Sequence, residues 1–556
     1  MTTNAHALPM ARTGRWTWRG AAALVATALV ASFSFTTLGA QATTERAEAV
    51  RGFIAAPTAA GDYIVRLADT EAAARAVVEA GGTVTKRLTL VGGVAAHLAP
   101  EAFRALSRVS AVSITPDAEL RTQGANTQNS GSTVDMGLMF NIEQATAATT
   151  AWNGYNTTGL GVGVALVDTG IVPVPGLDRP GKIINAPDFS HEASNPALAG
   201  LDTAGHGTHL AGIIAGRDAT ADPKKPSVGF MGMAPNATLI NVKVATADGT
   251  TSVSTVIEGL GWVVENQSTL PVPIRVVNLA FAADTGLPYQ SDPLAYAVEQ
   301  VWNAGIVVIA SAGNAGPTTN ELANPAYDPF VIAVGATDAR GTLTLADDVL
   351  ADYSQNGSDS RGVDVVAPGT SVTSLRNPGS FIDWLYPEGV SNVRFFKGSG
   401  TSQAAAVVSG AVALLVSKFP TATPDTIKYT LRAGSYPLSG AMSTRGGTGS
   451  LNIKWALDNT KVAANNPSRY AQPWEPSVGS PMSAVSGGGT SDPYPGSPWE
   501  ARRWTSAGWS GDITDPDVWA ARRWTGETWD ARRWSDDSWN AGTWTSAGWG
   551  SVLGGF

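Results

Sequence analysis

The chain has 556 residues, of which 43% are hydrophobic and 15% charged, and its formal net charge is -9. This length predicts two or three folded units with well-packed cores. The balance of 37 basic against 46 acidic side chains indicates no nucleic-acid partner, which would require a clustered basic face. Cysteine is absent, and this excludes disulfides, thiolate zinc sites and a cysteine nucleophile.

Residues 1–42 predict a signal peptide. Arg12, Arg15 and Arg19 form a basic start, an apolar run covers residues 21–35, and a small-residue cleavage site follows at 40–42. The alternative is an N-terminal membrane anchor, for which this apolar run is short. We therefore expect a secreted, extracellular protein, with association to the cell envelope left open.

Residues 43–125 predict a small α+β unit. Strand-like patterns at 63–67, 83–90, 94–98 and 111–115 are interleaved with helical patterns at 70–79 and 100–107. The resulting order β-α-β-β-α-β is typical of a ferredoxin-like split βαβ unit. Residues 122–135 are polar and rich in Gly, Ser and Asn, which predicts an exposed linker.

Residues 126–462 predict an α/β domain. Short β-branched runs that are apolar on both faces occur at 162–167, 239–244, 276–281, 306–311 and 330–334. Helical patterns lie between or after them, at 206–215, 251–266, 293–303 and 401–419. This alternation predicts a parallel β-sheet with helices on both faces, whose functional residues lie beyond the carboxyl ends of the strands.

The C-terminal part predicts a linker and a repeat. Residues 463–498 are rich in Pro, Gly and Ser, whereas residues 499–556 carry a tryptophan at every fifth position from 499 to 549 except at Thr514. Tryptophans five residues apart would not lie on one face of an α-helix, and on a β-strand they would alternate between its two faces. We hypothesise that this Trp-rich pentapeptide-repeat tail contacts the cell envelope or a polysaccharide. The alternative is a disordered or removable extension.

Two candidate catalytic residues, a general base and a carboxylate that orients it, are suggested by their positions at the ends of predicted elements. Of the five histidines, His206 has glycine on both sides at a predicted helix start, which keeps its imidazole accessible. His209 follows one turn later, and a metal-binding His-x-x-His pair is the alternative, although no third ligand accompanies it. Asp168 follows the strand 162–167, where its carboxylate could orient a histidine. The alternative role for Asp168 is that of a helix cap or turn residue.

The nucleophile and oxyanion candidates lie at two further element ends. Ser402 stands at the predicted N-terminus of an apolar helix, where backbone N–H groups favour an oxyanion. A simple helix cap is the alternative for Ser402. Asn314 follows the strand 306–311 and offers a side-chain amide, although an Asn between small residues is ordinarily a turn residue.

These motifs resemble the subtilisin-like serine protease family. The order Asp…His…Ser is carried by Asp-Thr-Gly at 168–170, His-Gly-Thr-His at 206–209 and Gly-Thr-Ser at 400–402. Further matches are residues 232–235, Asn278, residues 331–336 and residues 366–369. The resemblance covers about residues 149–419, and the unit at 43–125 resembles the family's inhibitory propeptide, which assists folding and is then removed.

The resemblance implies a set of roles. Ser402 would attack the scissile carbonyl, His206 would take its proton, Asp168 would hold His206, and Asn314 would complete the oxyanion hole. The implied substrate-binding residues form two edges and a pocket wall: Gly249, Thr250, Thr251, Ala280, Phe281, Ala282, Ala312 and Gly313. We expect a monomer that acts on protein or peptide substrates, with its own propeptide as an intramolecular inhibitor.

No cofactor is implied for the chemistry, and a structural calcium ion is left open. Asp178 lies near a familiar ligand position, but residues 217–226 lack the usual Asn-rich pattern.

Some positions depart from the family pattern. Gln403 and three alanines follow Ser402 where the family usually has Met-Ala-Thr/Ala-Pro, and Ala280 and Ala282 replace the usual Ser and Gly. A catalytically inactive subtilase-fold surface or binding protein is therefore the alternative function. A further alternative function is an aspartic protease, in which Asp168 and Asp284, each in an Asp-Thr-Gly motif, would form the catalytic pair. Aspartic proteases consist mostly of β-strands, whereas this chain has long helical patterns.

Overall fold

The structure is a computed structural model that describes residues 57–109, 111–122, 135, 137–283, 287–289, 291–319, 321–358, 361–438 and 446–465, with 528–529 and 544–545. The predicted signal peptide, residues 43–56, most of the predicted linker and tail, and Asp284 lie outside the described residues. In the tail, strands Thr528–Trp529 and Trp544–Thr545 pair antiparallel.

The N-terminal unit is a four-stranded antiparallel sheet with two helices. Its elements are β1 Gly61–Arg66, α1 Thr70–Glu79, β2 Thr83–Leu88, β3 Gly93–Leu98, α2 Pro100–Leu106 and β4 Ser113–Pro116. The sheet order is β2-β3-β1-β4. Asp69 caps α1 by accepting a hydrogen bond from the backbone N–H of Ala72 at 2.7 Å. A separate small core, which includes Val65, Leu98 and Phe103, holds the helices on the sheet.

A short strand then joins this unit to the rest of the molecule. The strand β5, Glu119–Thr122, lies between β9, Thr250–Ser252, and β11, Phe281–Ala282, in an antiparallel sheet. Leu120 and Thr122 are buried in this arrangement. The strand was not predicted from the sequence, because four residues show no clear period until partner strands are known.

The main sheet confirms the predicted α/β class. Its strands are β6 Gly163–Asp168, β7 Ile183–Asn185, β8 Thr238–Lys243, β10 Ile274–Leu279, β12 Val307–Ser311, β13 Ile332–Asp338, β14 Val349–Leu350 and β15 Val365–Pro368. The order is β14-β13-β12-β10-β6-β8-β7, with β15 also paired to β13. Every pair in this sheet is parallel except β13 with β14. Burial on both faces explains the continuous apolar runs.

The helices of this larger unit are α3 Met139–Ala145, α4 Ala148–Gly154, α5 His206–Ala215, α6 Val253–Asn266, α7 Pro293–Asn303, α8 Phe381–Leu385, α9 Thr401–Lys418, α10 Pro424–Ala433 and α11 Ile453–Asn465. A hairpin of β16 Val372–Leu375 and β17 Phe395–Gly398 brackets α8, and single 3₁₀ turns occur at Thr89–Val91, His191–Ser194 and Pro387–Gly389. Where a helix or strand was predicted, most of its observed ends lie within two residues of the predicted ends.

Two predicted boundaries need correction at the edge of the site. The helix predicted at 251–266 begins at Val253, because Thr251 and Ser252 belong to β9 and the Ser252 side chain caps the helix. The strand predicted at 276–281 ends at Leu279. After it the chain passes through Ala280 into β11, so Phe281 pairs with β5 instead of extending the main sheet.

The helix α9 runs through the core beneath the sheet. It packs against α5 and against strands β10, β12 and β13. A search of the described residues finds that α9 has the length and composition of a membrane-spanning helix, but 89% of this helix is buried inside the protein. That burial identifies α9 as a core helix.

Candidate active site

Asp168 and His206 meet where β6 ends and α5 begins. The Nδ1 atom of His206 lies 2.8 Å from Oδ1 of Asp168, and both side chains are buried. The same carboxylate oxygen accepts a hydrogen bond from the backbone N–H of Thr169 at 2.8 Å. A carboxylate at Nδ1 holds the proton there, which directs Nε2 of His206 to accept a proton from another group.

A second buried carboxylate, Asp202, fixes the start of α5. It accepts hydrogen bonds from the backbone N–H groups of Gly205 and Thr208 and from the Thr169 hydroxyl, each at 2.7 Å. Burial raises the pKa of Asp202 despite these hydrogen bonds. Asp202 therefore connects the helix that carries His206 to the turn after Asp168. Asp202 is hard to recognise from the sequence, because it lies three residues before Gly205, the residue at the N-cap position of α5.

Asn314 is held by the residue before the predicted nucleophile. Its Oδ1 accepts hydrogen bonds from the backbone N–H and from the hydroxyl of Thr401, both at 2.9 Å. A backbone N–H can only donate, so the carbonyl end of the amide must face Thr401. The Nδ2 end is buried and has no hydrogen-bond partner within the described part of the chain. Such an unsatisfied donor is suited to an oxyanion.

Ser402 is the second residue of α9 and is buried. The helices α5 and α9 pack against each other. A Cβ at Gly398 would lie 3.1 Å from Nε2 of Gln403 and 3.3 Å from Cε1 of His209, so the first turns of the two helices are close together. The backbone N–H groups of the first turn of α9 have no partner within the helix and favour negative charge. The site thus offers a hydroxyl, an oriented imidazole and two kinds of N–H donor, one from a side-chain amide and one from the backbone.

His209 lies on α5 but has a different environment. Its Nε2 is 3.0 Å from the carbonyl oxygen of Phe396 and 3.2 Å from that of Val372, so this nitrogen donates a proton to the backbone. Burial lowers the pKa of His209 to about 4. The described residues contain no group of three or more His, Cys, Asp or Glu side chains arranged for a metal. His209 therefore ties α5 to the β16–β17 hairpin as a neutral side chain.

The loop that would hold calcium is occupied by the chain's own cations. Both carboxylate oxygens of Asp218 contact the Arg394 guanidinium, and one also accepts from the backbone N–H of Phe230 at 2.9 Å. Arg217 donates to the carbonyl oxygen of Ala221 at 2.9 Å. Asp178 accepts a hydrogen bond from the Gly176 N–H at 3.3 Å. The donor set of this loop therefore does not fit a calcium ion.

The predicted substrate-binding residues lie on both sides of β5. Thr250 and Thr251 are in β9, Phe281 and Ala282 are in β11, and the carbonyl oxygen of Gly249 accepts a hydrogen bond from the Thr122 N–H at 3.0 Å. Ala280 is buried between β10 and β11. Ala312 and Gly313 follow β12 next to Asn314. Gly313 has φ +111°, a backbone conformation that residues with a side chain rarely adopt, which favours glycine at this position.

Comparison with known proteins identifies the family. Residues 159–454 match the model of the subtilase family, which is more than half of the chain. The chain belongs to the subtilase family. The recognition made from the Asp…His…Ser motifs is therefore confirmed, as is the enzyme class of the family, serine-type endopeptidase.

Three relatives of this subtilase illustrate the similarity. Serine protease AprX of Bacillus subtilis is 39% identical over 290 residues, which is 51% of this chain and 63% of AprX. Subtilisin E of Bacillus subtilis is 30% identical over 383 residues, which is 68% of this chain and 84% of that protein. The crystal structure of fervidolysin from Fervidobacterium pennivorans, a keratinolytic enzyme related to subtilisin, has a TM-score of 0.54 and 23% identity. That match covers 72% of this chain and 61% of fervidolysin, and it supports the fold.

Proposed function

We propose that this subtilase is a secreted serine endopeptidase in which Ser402 is the nucleophile, His206 the general base and Asp168 the residue that orients His206. The observation that carries the proposal is the 2.8 Å contact between His206 Nδ1 and Asp168 Oδ1. It prepares the imidazole to accept a proton at the start of α5, and α5 packs against α9, the helix that carries Ser402. No cofactor is needed for this chemistry.

The reaction follows from these groups. The Oγ of Ser402 attacks the carbonyl carbon of the scissile bond while Nε2 of His206 takes the hydroxyl proton. The amide of Asn314 and the backbone N–H of Ser402 bind the oxyanion that forms. When the C–N bond breaks, His206 gives its proton to the leaving amine. Water then attacks the acyl-enzyme ester with His206 again as base, which releases the acid and restores Ser402.

A substrate would bind where β5 now lies. The backbone of β5 pairs with β9 on one side and β11 on the other, with Arg121 opposite both Thr250 and Ala282. A protein or peptide segment in this position gains main-chain hydrogen bonds whatever its sequence, and its buried side chains supply the preference. The full burial of Leu120 supports a preference for leucine at the corresponding substrate position.

We further propose that residues 43–125 are a propeptide that inhibits the enzyme until it is cut off. Its support is that β5 fills the substrate position and that the N-terminal unit contacts the start of α6. Asp117 accepts a hydrogen bond from the Ser254 N–H at 2.8 Å, and Lys86 pairs with Glu258 at 3.0 Å. The bond to be cut in self-processing then lies within a few residues after Thr122.

Export and attachment complete the proposal. The basic and apolar composition of residues 1–42 supports secretion, which puts the enzyme in contact with extracellular proteins and peptides. Contact of the Trp-rich tail with the cell envelope or a polysaccharide, and the monomeric state, stay predictions.

The proposal is tested by comparing the wild-type chain with Ser402→Ala, using Ser417→Ala at the far end of α9 as the matched control. We expect wild type and the control to produce a catalytic fragment that begins shortly after Thr122 and to degrade a denatured protein. Ser402→Ala should remain uncut and inactive. An uncut, inactive wild-type chain would favour the inactive subtilase-fold binding protein, and an active Ser402→Ala would remove Ser402 from its proposed role.

A further inference from the structure

The segment between β16 and β17, residues 376–394, presents apolar side chains to solvent. It contains α8, and within it the side chain of Trp384 is 63% exposed and that of Val393 is 80% exposed. The ring of Phe381 lies beside that of Trp384, with 6.4 Å between the centroids. Exposed tryptophan is uncommon on a protein surface and is enriched where proteins bind other chains.

This segment lies against the residues that lead into His206. The backbone N–H of Phe381 donates to the carbonyl oxygen of Thr203, and that of Ile382 donates to Ala204, both at 3.0 Å. A Cβ at Gly205 would lie 2.8 Å from Cγ1 of Ile382, so α8 and the start of α5 are in close contact. The exposed side chain of Trp384 therefore belongs to a helix that packs directly against the residues leading into His206.

Ion pairs hold the segment in one arrangement. The carboxylate of Asp383 accepts hydrogen bonds from the Arg376 guanidinium at 2.9 Å and from the Gly379 N–H at 2.8 Å. At its other end, Arg394 pairs with Asp218 in the loop after α5. A preformed surface of this kind binds a ligand without the entropic cost of ordering a loop.

The half of the substrate that precedes the scissile bond leaves Trp384 uncovered. The strand β5 fills the position between β9 and β11, and Trp384 keeps its 63% exposure with β5 in place. Residues after the scissile bond must leave the cleft past the catalytic serine and histidine. The apolar surface beside His206 is positioned to receive them.

We propose that Trp384 is a specificity-determining residue that binds apolar side chains on the C-terminal side of the scissile bond. This inference rests on the proposed protease function. The occupant is the leaving-group half of a peptide substrate, with a side chain such as leucine or phenylalanine among its first three residues. Contact with the indole ring removes apolar surface from water on both partners, which strengthens binding of such substrates.

The test compares substrates that share the residues before the scissile bond. One releases p-nitroaniline and has nothing after that bond, a second continues with leucine and phenylalanine, and a third continues with serine and glycine. The mature enzymes are wild type, Trp384→Ala and Trp384→Phe. Leu160→Ala is the control, because Leu160 is 72% exposed and precedes β6, at the opposite end of that strand from Asp168.

We expect Trp384→Ala to lower kcat/KM about five- to tenfold for the apolar peptide, mainly through KM. Its activity on the p-nitroanilide and on the serine–glycine peptide should stay within about twofold of wild type. Trp384→Phe should retain most of the preference, and Leu160→Ala should match wild type. An equal loss on all three substrates, or no loss on any, overturns the inference. A wild-type enzyme that cleaves none of them refutes the proposed protease function instead.

Discussion

Asn314 and Thr401 are joined by two hydrogen bonds of 2.9 Å, from the backbone N–H and the hydroxyl of Thr401 to one amide oxygen. The Thr401 hydroxyl in turn accepts a hydrogen bond from the Gly313 N–H at 3.1 Å. Thr401 therefore sets the rotation of the amide that we assign to the oxyanion hole. We therefore predict that Thr401 acts through Asn314, as a positioning residue.

Replacing Thr401 with valine keeps the shape of the side chain and removes its hydroxyl. We expect kcat to fall about tenfold with little change in KM, because the amide of Asn314 loses one of its two restraints. Asn314→Ala alone should cost on the order of 10²–10³ in kcat. Steady-state kinetics of both variants and of the double variant check this. If Thr401 acts through Asn314, the second substitution adds little to the first, whereas full additivity would contradict the assignment.

Asp168→Asn tests the orientation of His206. An amide at this position cannot hold the proton on Nδ1 as a carboxylate does, so Nε2 is no longer reliably free to accept the Ser402 proton. We expect kcat to fall by about 10⁴ while the protein stays folded. Turnover measured beside circular dichroism separates the two effects. A variant with more than a tenth of wild-type activity would show that Asp168 does not have this role.

Glu143 on α3 should make stability depend on pH. Its side chain is 1% exposed, Oε1 has no hydrogen-bond partner among residues that the structure describes, and burial raises its pKa well above the ordinary value. Between the unfolded pKa of about 4.3 and the higher folded pKa, the native state binds more protons than the unfolded state. Stability from this group is therefore present below the unfolded pKa and declines by up to about 1.4 kcal/mol per pH unit as pH rises towards the folded pKa.

Glu143→Gln removes that titration. We expect the unfolding free energy of the variant to match wild type near pH 4 and to exceed it increasingly towards neutral pH. Urea unfolding of the Ser402→Ala background at several pH values avoids self-digestion during the measurement. Parallel curves for the two proteins would show that Glu143 is not buried as an uncharged group.

The pairing of Arg394 with Asp218 predicts that this loop does not depend on calcium. A bound ion stabilises the folded state according to its concentration and affinity, so its removal would lower Tm. We expect a chelator to change the Tm of the Ser402→Ala protein and that of its Asp218→Ala derivative by the same amount, because this loop supplies no calcium ligand. Arg394→Ala should lower Tm by several degrees, because the partly buried Asp218 carboxylate loses its partner. A chelator effect that is lost in the Asp218→Ala derivative would contradict this account.

The sequence predicted those parts of the molecule whose signals are local. Parallel strands buried on both faces give continuous apolar runs, so most of the main sheet and the strand ends that carry Asp168 and Asn314 could be located. His206 was recognisable from its flanking glycines. The motif order then identified the family. These predictions needed no knowledge of which elements are neighbours in space.

The parts that were missed depend on long-range partners. The strand β5 is too short to show a period, and it forms because β9 and β11 offer unpaired edges. Asp202 and Thr401 look like ordinary capping residues until their contacts with Thr169 and Asn314 are seen. Residues 376–394 mix apolar and charged side chains without a helical or strand period, so nothing indicated that α8 would pack beside His206.

The most direct test of the central claim is to label the purified mature enzyme with a fluorophosphonate and map the modified residue by mass spectrometry. This reagent forms a stable bond to a serine only when a base activates the hydroxyl. We predict one adduct, on Ser402, with labelling greatly reduced in His206→Ala and unchanged in Ser417→Ala. Absence of an adduct on Ser402 in the processed wild-type enzyme, or an adduct on a different serine, would contradict the account.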